Sequence, residues 1–208
     1  MIHRVVLFGP QGSGKGTQGE KLAEFLNIPL IVTGNIFRYN IKEKTALGEL
    51  AQQYINKGEL VPNEVTIRMI KERLLNSDCA NGYILDGFPR TLTQAEALDN
   101  ITHVLLIDIT DDEAVRRIAD RRQCLHCGMT YHPVYKPSKQ PDICNKCGEK
   151  LVQRDDDTKE ALQRRLNLYH QESEPLLSKY QIENILYRID GSKSIPEVWE
   201  AVKKIFAK

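Results

Sequence analysis

Two stretches of the chain combine residue types and spacings that can do chemistry. The first is Gly9-Pro-Gln-Gly-Ser-Gly-Lys15-Gly-Thr17. Glycines let successive backbone N–H groups turn inward around phosphate oxygens, and a helix that starts there adds partial positive charge. In such a loop Gly12, Ser13, Gly14 and Gly16 form the cradle, Lys15 reaches the β- and γ-phosphates, and Thr17 faces Mg²⁺. The usual pattern has Ser or Thr directly after the lysine; here Gly16 intervenes. The second stretch is Cys124-x₂-Cys127, sixteen residues, then Cys144-x₂-Cys147. That is zinc-ribbon spacing. Four thiolates close a tetrahedral shell with no open position, so one zinc ion here would be structural.

The phosphate loop needs a strand before it and a helix after it, and the sequence offers both. Residues 2–8 are almost all apolar, as a strand buried on both faces would be. A helical pattern follows, with Leu22, Phe25 and Leu26 on one face. Pro29–Val32, Gly82–Asp86, His103–Asp108 and Asn184–Ile189 read as four further strands. Helices are expected at 36–41, 47–55, from Pro62, at 91–98, 111–122 with Asp111 or Asp112 near the N-cap, 157–180 and 195–206. This alternation predicts an α/β fold, a five-stranded parallel sheet of P-loop NTPase type with helices on both faces. Residues 123–153 break the pattern and read as an inserted module that zinc would stabilise in place of a core.

Composition narrows the class. The 208 residues carry 29 Lys+Arg against 28 Asp+Glu, a net charge of +1. A protein whose whole surface binds nucleic acid would not be so balanced. Met1-Ile2-His3-Arg4 runs straight into Val5-Val6-Leu7-Phe8, too short for a signal sequence, and no stretch is long enough to span a membrane. The expectation is a soluble cytoplasmic protein, a monomer with neither nucleic-acid nor membrane partners. Its five cysteines should be thiols or metal ligands, with Cys79 a bystander.

The variant Gly-Lys-Gly-Thr spacing resembles the nucleoside monophosphate kinases, and among them the adenylate kinases. Thr33-Gly-Asn-Ile-Phe-Arg38 is similar to the family's Thr-Gly-Asp-x-x-Arg, and Asp86-Gly-Phe-Pro-Arg-Thr91 matches its Asp-Gly-Phe-Pro-Arg-Thr, with Gln94 at the expected offset. Arg117, Arg121, Arg154, Asp156, Asp157 and Arg165 fall where the family's lid arginines and acids fall, and Asp190-Gly-Ser-Lys193 corresponds to a late nucleotide-contacting loop. The likeness runs from residue 2 to the end, and the cysteines make it the zinc-bearing, long-lid type. Asn35 and Asn63 stand where the family more often has Asp.

The resemblance implies reversible phosphoryl transfer from Mg-ATP to AMP, giving two ADP. It implies a core of residues 1–32, 62–121 and 158–208, an AMP-binding segment at 33–61, and a lid at 122–157 that swings as a unit. Lys15, Arg90, Arg121, Arg154 and Arg165 would be catalytic. Arg121, Thr130, Tyr131 and Lys193 would join the loop on ATP. Thr33, Arg38, Glu59, Leu60, Val61, Gly87, Phe88, Pro89, Arg90, Gln94, Arg154 and Arg165 would take AMP, and Asp86 would hold Mg²⁺ through water. A monophosphate needs no general base, since its second pKa is about 6. Thr33 also reads as a plain N-cap, Tyr131 as a packing residue, Arg116, Arg122 and Arg164 as solvated charges, and His126 and His132 as exposed or outside the cysteine shell. Three rival readings fit less well: a kinase for UMP, CMP or GMP, disfavoured by Thr33 and Gln94; a GTPase, disfavoured because Asn145-Lys146 lacks the following Asp and sits inside the insert; and a nucleic-acid ribbon, which has too few aromatics for stacking.

Overall fold

A computed structural model describes residues 2–55, 59–154 and 157–207. Its central sheet is parallel, ordered β2-β3-β1-β4-β8, from β1 (His3–Phe8), β2 (Leu30–Val32), β3 (Gly82–Asp86), β4 (His103–Asp108) and β8 (Leu186–Asp190). In β1, Val5 and Leu7 face one core and Val6 and Phe8 the other, all nearly inaccessible. Strand side chains alternate, so an unbroken apolar run suits only a strand covered on both faces. On one face Leu22 of α1 (Lys15–Leu26) and Val198 and Val202 of α9 (Ile195–Phe206) meet Val5, Leu7, Ile84 and Ile107. On the other, Ile70 of α4 (Asn63–Leu74), Ala95 of α5 (Leu92–Glu96) and Leu176, Leu177 and Tyr180 of α8 (Leu176–Ile182) cover Val6, Phe8 and Leu85. Each such apolar side chain contributes roughly 1.5–3 kcal/mol on burial.

Two helices, α2 (Thr33–Lys42) and α3 (Ala46–Ile55), pack on each other beyond β2. Gly48 is where they touch, since a β-carbon there would lie 2.1 Å from the Asn40 carbonyl oxygen. After β4 comes α6 (Asp111–Ala119), capped by Thr110, whose hydroxyl accepts from the Glu113 N–H, and not by Asp111 or Asp112. The helix stops at Ala119 instead of reaching Arg122, because Arg122–Cys124 leaves as strand β5. β5 pairs antiparallel with β6 (Thr130–Tyr131) and β7 (Leu151–Val152). The insert therefore holds a small sheet that its composition does not signal. The helix expected over 157–180 is two, α7 (Lys159–Leu168) and α8, joined by a π-turn at Tyr169–Ser173 and Pro175. Asp156 lies outside the described residues.

Candidate active site

The site is the open end of the sheet. In parallel α/β sheets the carboxyl ends of the strands receive ligands. Here β1 runs into the glycine loop, β2 into Thr33, β3 into Asp86–Arg90 and β8 into Gly191–Lys193. Gly12 has φ +83° and Gly14 +95°, left-handed values that glycine adopts without strain. Gly12 must also be small: a β-carbon would sit 3.0 Å from the Ala114 carbonyl oxygen of α6. Lys15 opens α1, and its ammonium donates to the carbonyls of Gly9 (2.6 Å) and Pro10 (2.7 Å).

One cleft of about 1530 Å³ gathers nearly all the residues singled out from the sequence. A pocket for one small ligand holds roughly 300–1,000 Å³, so this one has room for two. Its lining includes the loop from Gly12 to Thr17; Thr33, Arg38, Glu59, Leu60 and Val61; Asp86, Gly87, Pro89, Arg90 and Gln94; and Arg121, Thr130, Tyr131, Arg154, Arg165 and Lys193. Phe88 is the exception. It is 1% exposed and packs in the core beneath the cleft. Thr33 is the first residue of α2 and not its cap; Val32 holds that place, and the Thr33 hydroxyl donates to the Asp86 carbonyl at 3.2 Å.

Charge in the cleft is lopsided. Burial pulls the Lys15 ammonium down to about 8; Arg90 and Arg121 push the same way, and Asp86 opposes them. Burial also lowers Arg90, and Arg165 and Arg154 add to it. Cations that depress one another's pKa mark a place made for an anion. Arg121 grips the buried carboxylate of Asp157 through Nε (2.9 Å) and Nη2, and Arg165 approaches it at 3.9 Å. Arg38 donates to the Asn35 Oδ1 at 2.6 Å.

Arg117 is the residue whose part was least legible. Its guanidinium donates to the Gly191 carbonyl (2.9 Å) and to Glu113 (2.6 Å), and lies over the Tyr135 ring at 5.0 Å. It joins the glycine loop, the β8 loop and the insert at one side of the cleft. The i, i+4 spacing of Glu113 and Arg117 signals only a helix-face ion pair. Lys136 of the insert reaches Glu20 of α1 at 2.9 Å across the same mouth.

The cysteines converge beside this cleft. The four Sγ atoms lie within 4.8 Å of one another, with Cys124–Cys147 at 3.4 Å and Cys127–Cys144 at 3.5 Å. These separations are too long for disulfides and suit thiolates about 2.3 Å from a shared tetrahedral centre. Both halves are built alike. Gly128 and Gly148 follow the second cysteine of each pair with φ +76° and +77°, and each returns its N–H to the first cysteine's carbonyl at 2.9 Å. The donor set thus fits zinc. Tyr131 is buried against it, its hydroxyl 3.4 Å from Cys144 Sγ. His132 is buried with Nδ1 accepting from the Val134 N–H, and the ring stands outside the cysteine shell.

A glycine loop between a central parallel strand and a helix, opening on a cleft lined with cations, defines a P-loop phosphoryl-transfer protein. The family model for adenylate kinase matches residues 7–185. The chain is 48% identical over 211 residues to the adenylate kinase of Methanocella arvoryzae, covering 98% of each. It is 47% identical over 209 residues to that of Caldanaerobacter subterraneus subsp. tengcongensis, covering 97% of this chain and 95% of the relative. For the adenylate kinase of Lachnospira eligens the figures are 43% over 210 residues, 97% and 99%. The chain belongs to the adenylate kinase family.

Proposed function

We propose that this protein moves the γ-phosphoryl group of Mg-ATP reversibly onto AMP, yielding two ADP. The observation that carries this reading is the convergence of Lys15, Arg90, Arg121, Arg154 and Arg165 on one cleft with room for two nucleotides. Phosphoryl transfer asks for positioning and charge neutralisation more than for covalent chemistry. An AMP phosphate oxygen, already anionic at neutral pH, attacks the γ-phosphorus in line; the bond to the β–γ bridging oxygen breaks, and its electron pair leaves with ADP. Lys15 follows the moving group. Arg121, Arg154 and Arg165 neutralise the equatorial oxygens, and Arg38 and Arg90 hold the acceptor phosphate.

The glycine loop from Gly12 to Thr17, with Thr130, Tyr131 and Lys193, takes ATP. Thr33, Gly87, Pro89, Gln94 and the backbone of Glu59–Val61 line the AMP base pocket. Thr17 and Asp86 are the residues to hold Mg²⁺, which arrives with ATP and shares the work of neutralising its phosphates. Cys124, Cys127, Cys144 and Cys147 would hold zinc, which would keep the insert rigid. Residues 122–157 and 33–61 act as covers over the core formed by 1–32, 62–121 and 158–208, closing on bound substrates to exclude water.

The reading extends to a monomer in the cytoplasm with nucleotides as its only partners. The balance of charge speaks against a surface built for polyanions; separately, among the described residues no helix is long and apolar enough to cross a membrane. The test is ADP formation from Mg-ATP with AMP, UMP, CMP, GMP or no acceptor. Rapid turnover with AMP alone, two ADP per ATP consumed, is expected. Transfer mainly to another monophosphate, or hydrolysis without acceptor, overturns it.

A further inference from the structure

We infer that Asn63, which does not line the cleft, acts with the Arg90 backbone N–H to lock the direction of the Gln94 side-chain amide and so sharpens the acceptor pocket's selectivity for 6-amino over 6-oxo purines. The inference rests on the AMP site assigned above.

Gln94 is 2% exposed, and its side chain is held at both polar atoms. The Arg90 backbone N–H donates to Gln94 Oε1 at 2.8 Å. A backbone N–H can only donate, so the atom facing it must be the oxygen. The amino group then points to Asn63, whose Oδ1 accepts from Gln94 Nε2 at 2.9 Å and from the Thr91 hydroxyl at 3.0 Å. Thr91 has its proton available for that bond because its oxygen already accepts from the Gln94 backbone N–H at 3.3 Å. Every bond in the chain runs one way. Reversing the Gln94 amide would set an amino group against the Arg90 N–H and an oxygen against the Asn63 oxygen.

After these bonds, the Gln94 amide, which lines the same cleft as Thr33 and Val61, keeps one acceptor direction on Oε1 and one donor on Nε2. That pair matches adenine, whose N6 amino group donates and whose N1 accepts. Hypoxanthine and guanine carry an oxygen at C6 and an N1–H. Against a fixed Gln94 they bring acceptor to acceptor and donor to donor. Buried hydrogen-bonding groups left unmatched are what give a site its largest discrimination.

The test compares kcat/KM for AMP and for IMP, with Mg-ATP saturating, in the wild type and in Asn63→Leu, Asn63→Ser and Asn63→Asp. The two variants that cannot hold the Gln94 amino group, N63L and N63S, should lower the AMP-to-IMP ratio about tenfold, the worth of one hydrogen bond, largely through KM. N63D keeps the acceptor and should hold the ratio at or above that of the wild type. A folded N63L or N63S with the wild-type ratio overturns the inference, as does an N63D that loses selectivity as they do. If N63L does not fold, N63S and N63D decide. Wild-type protein that fails to phosphorylate AMP at all overturns the proposed function instead.

Discussion

Replacing Asp157 by Asn keeps the shape of the side chain and removes the charge that the lid-side arginines share. The Asp157 side chain is 0% exposed, and those of Arg121 and Arg165 are 14% each. Removing one member of a buried ion pair costs about 3–5 kcal/mol, because the remaining charge stays desolvated. Arg121 borders the cleft, so water relieves part of that cost, and about 3 kcal/mol is the expected loss. For a chain of this size each kcal/mol lowers the melting temperature by about 2–4 °C, so the Asp157→Asn protein should melt roughly 6–12 °C lower. A dinucleotide bisubstrate analogue supplies phosphate charge to the same guanidiniums. It should therefore raise the melting temperature of the variant more than that of the wild type. Thermal denaturation with and without the analogue measures both numbers. An unchanged melting point, or equal ligand shifts in the two proteins, would refute the claim that this carboxylate stands in for phosphate between the arginines.

Lys15 predicts a proton linkage: held at about 8 in the ligand-free protein, its ammonium is favoured by bound phosphate, so ATP binding takes up protons above that pH. Calorimetry in buffers of different ionisation enthalpy should show the uptake, and the KM for ATP should rise on the alkaline side. Stripping metal from the four cysteines should leave the five-stranded core folded while the β5–β7 sheet loses exchange protection; equal protection with and without metal would count against a structural ion there. His170 bonds carboxylates through both ring nitrogens, Glu174 at 2.8 Å and Asp111 at 3.1 Å, and its pKa is raised by Glu174 first and Asp111 after it. Its contribution to stability is full below about 6.5 and fades as pH rises through the raised value; urea titrations of His170→Gln should lack that part of the pH dependence.

What could be read from the sequence was what is local. The run Val5–Phe8 announces a strand covered on both faces because each residue must find its own apolar neighbour. The glycine loop and the two cysteine pairs are equally self-contained, since φ at Gly12 and the turns at Gly128 and Gly148 are set by a few consecutive residues. Failures came where distant segments decide. The periodicity of α6 runs on to Arg122, but Gln123 pairs with Thr130 and Val152, and that pairing ends the helix early. The insert's strands β5–β7, two or three residues each and without an apolar run like that of β2, have no alternation to read. Phe88 sits within a motif tied to the nucleotide, yet it turns into the core against the sheet and leaves the cleft to Gly87 and Pro89. The resemblance groups Arg117 with the lid arginines, but nothing in its own segment signals its 2.9 Å bond to the Gly191 carbonyl in the loop after β8.

The arrangement couples stability to function. Lys15 and Arg90 are buried where each opposes the charge of the other cations, and burial is the largest cause of the shift in both. The fold bears that cost because the sheet beneath is sealed on both faces, and because Asp86 and Asp157 offset part of the charge. Nucleotide phosphates offset it more fully, and the gain grows as the charge spreads over the transferring group. Neutralising one of these cations should therefore make the ligand-free protein more stable while slowing phosphoryl transfer. Lys15→Met is the sharpest case: it removes a buried ammonium and keeps an unbranched chain of similar length. A higher melting temperature together with a kcat reduced by at least about 10² is the expected result. A variant that is both slower and less stable would mean that the Lys15 bonds to the Gly9 and Pro10 carbonyls outweigh the charge it carries into the loop.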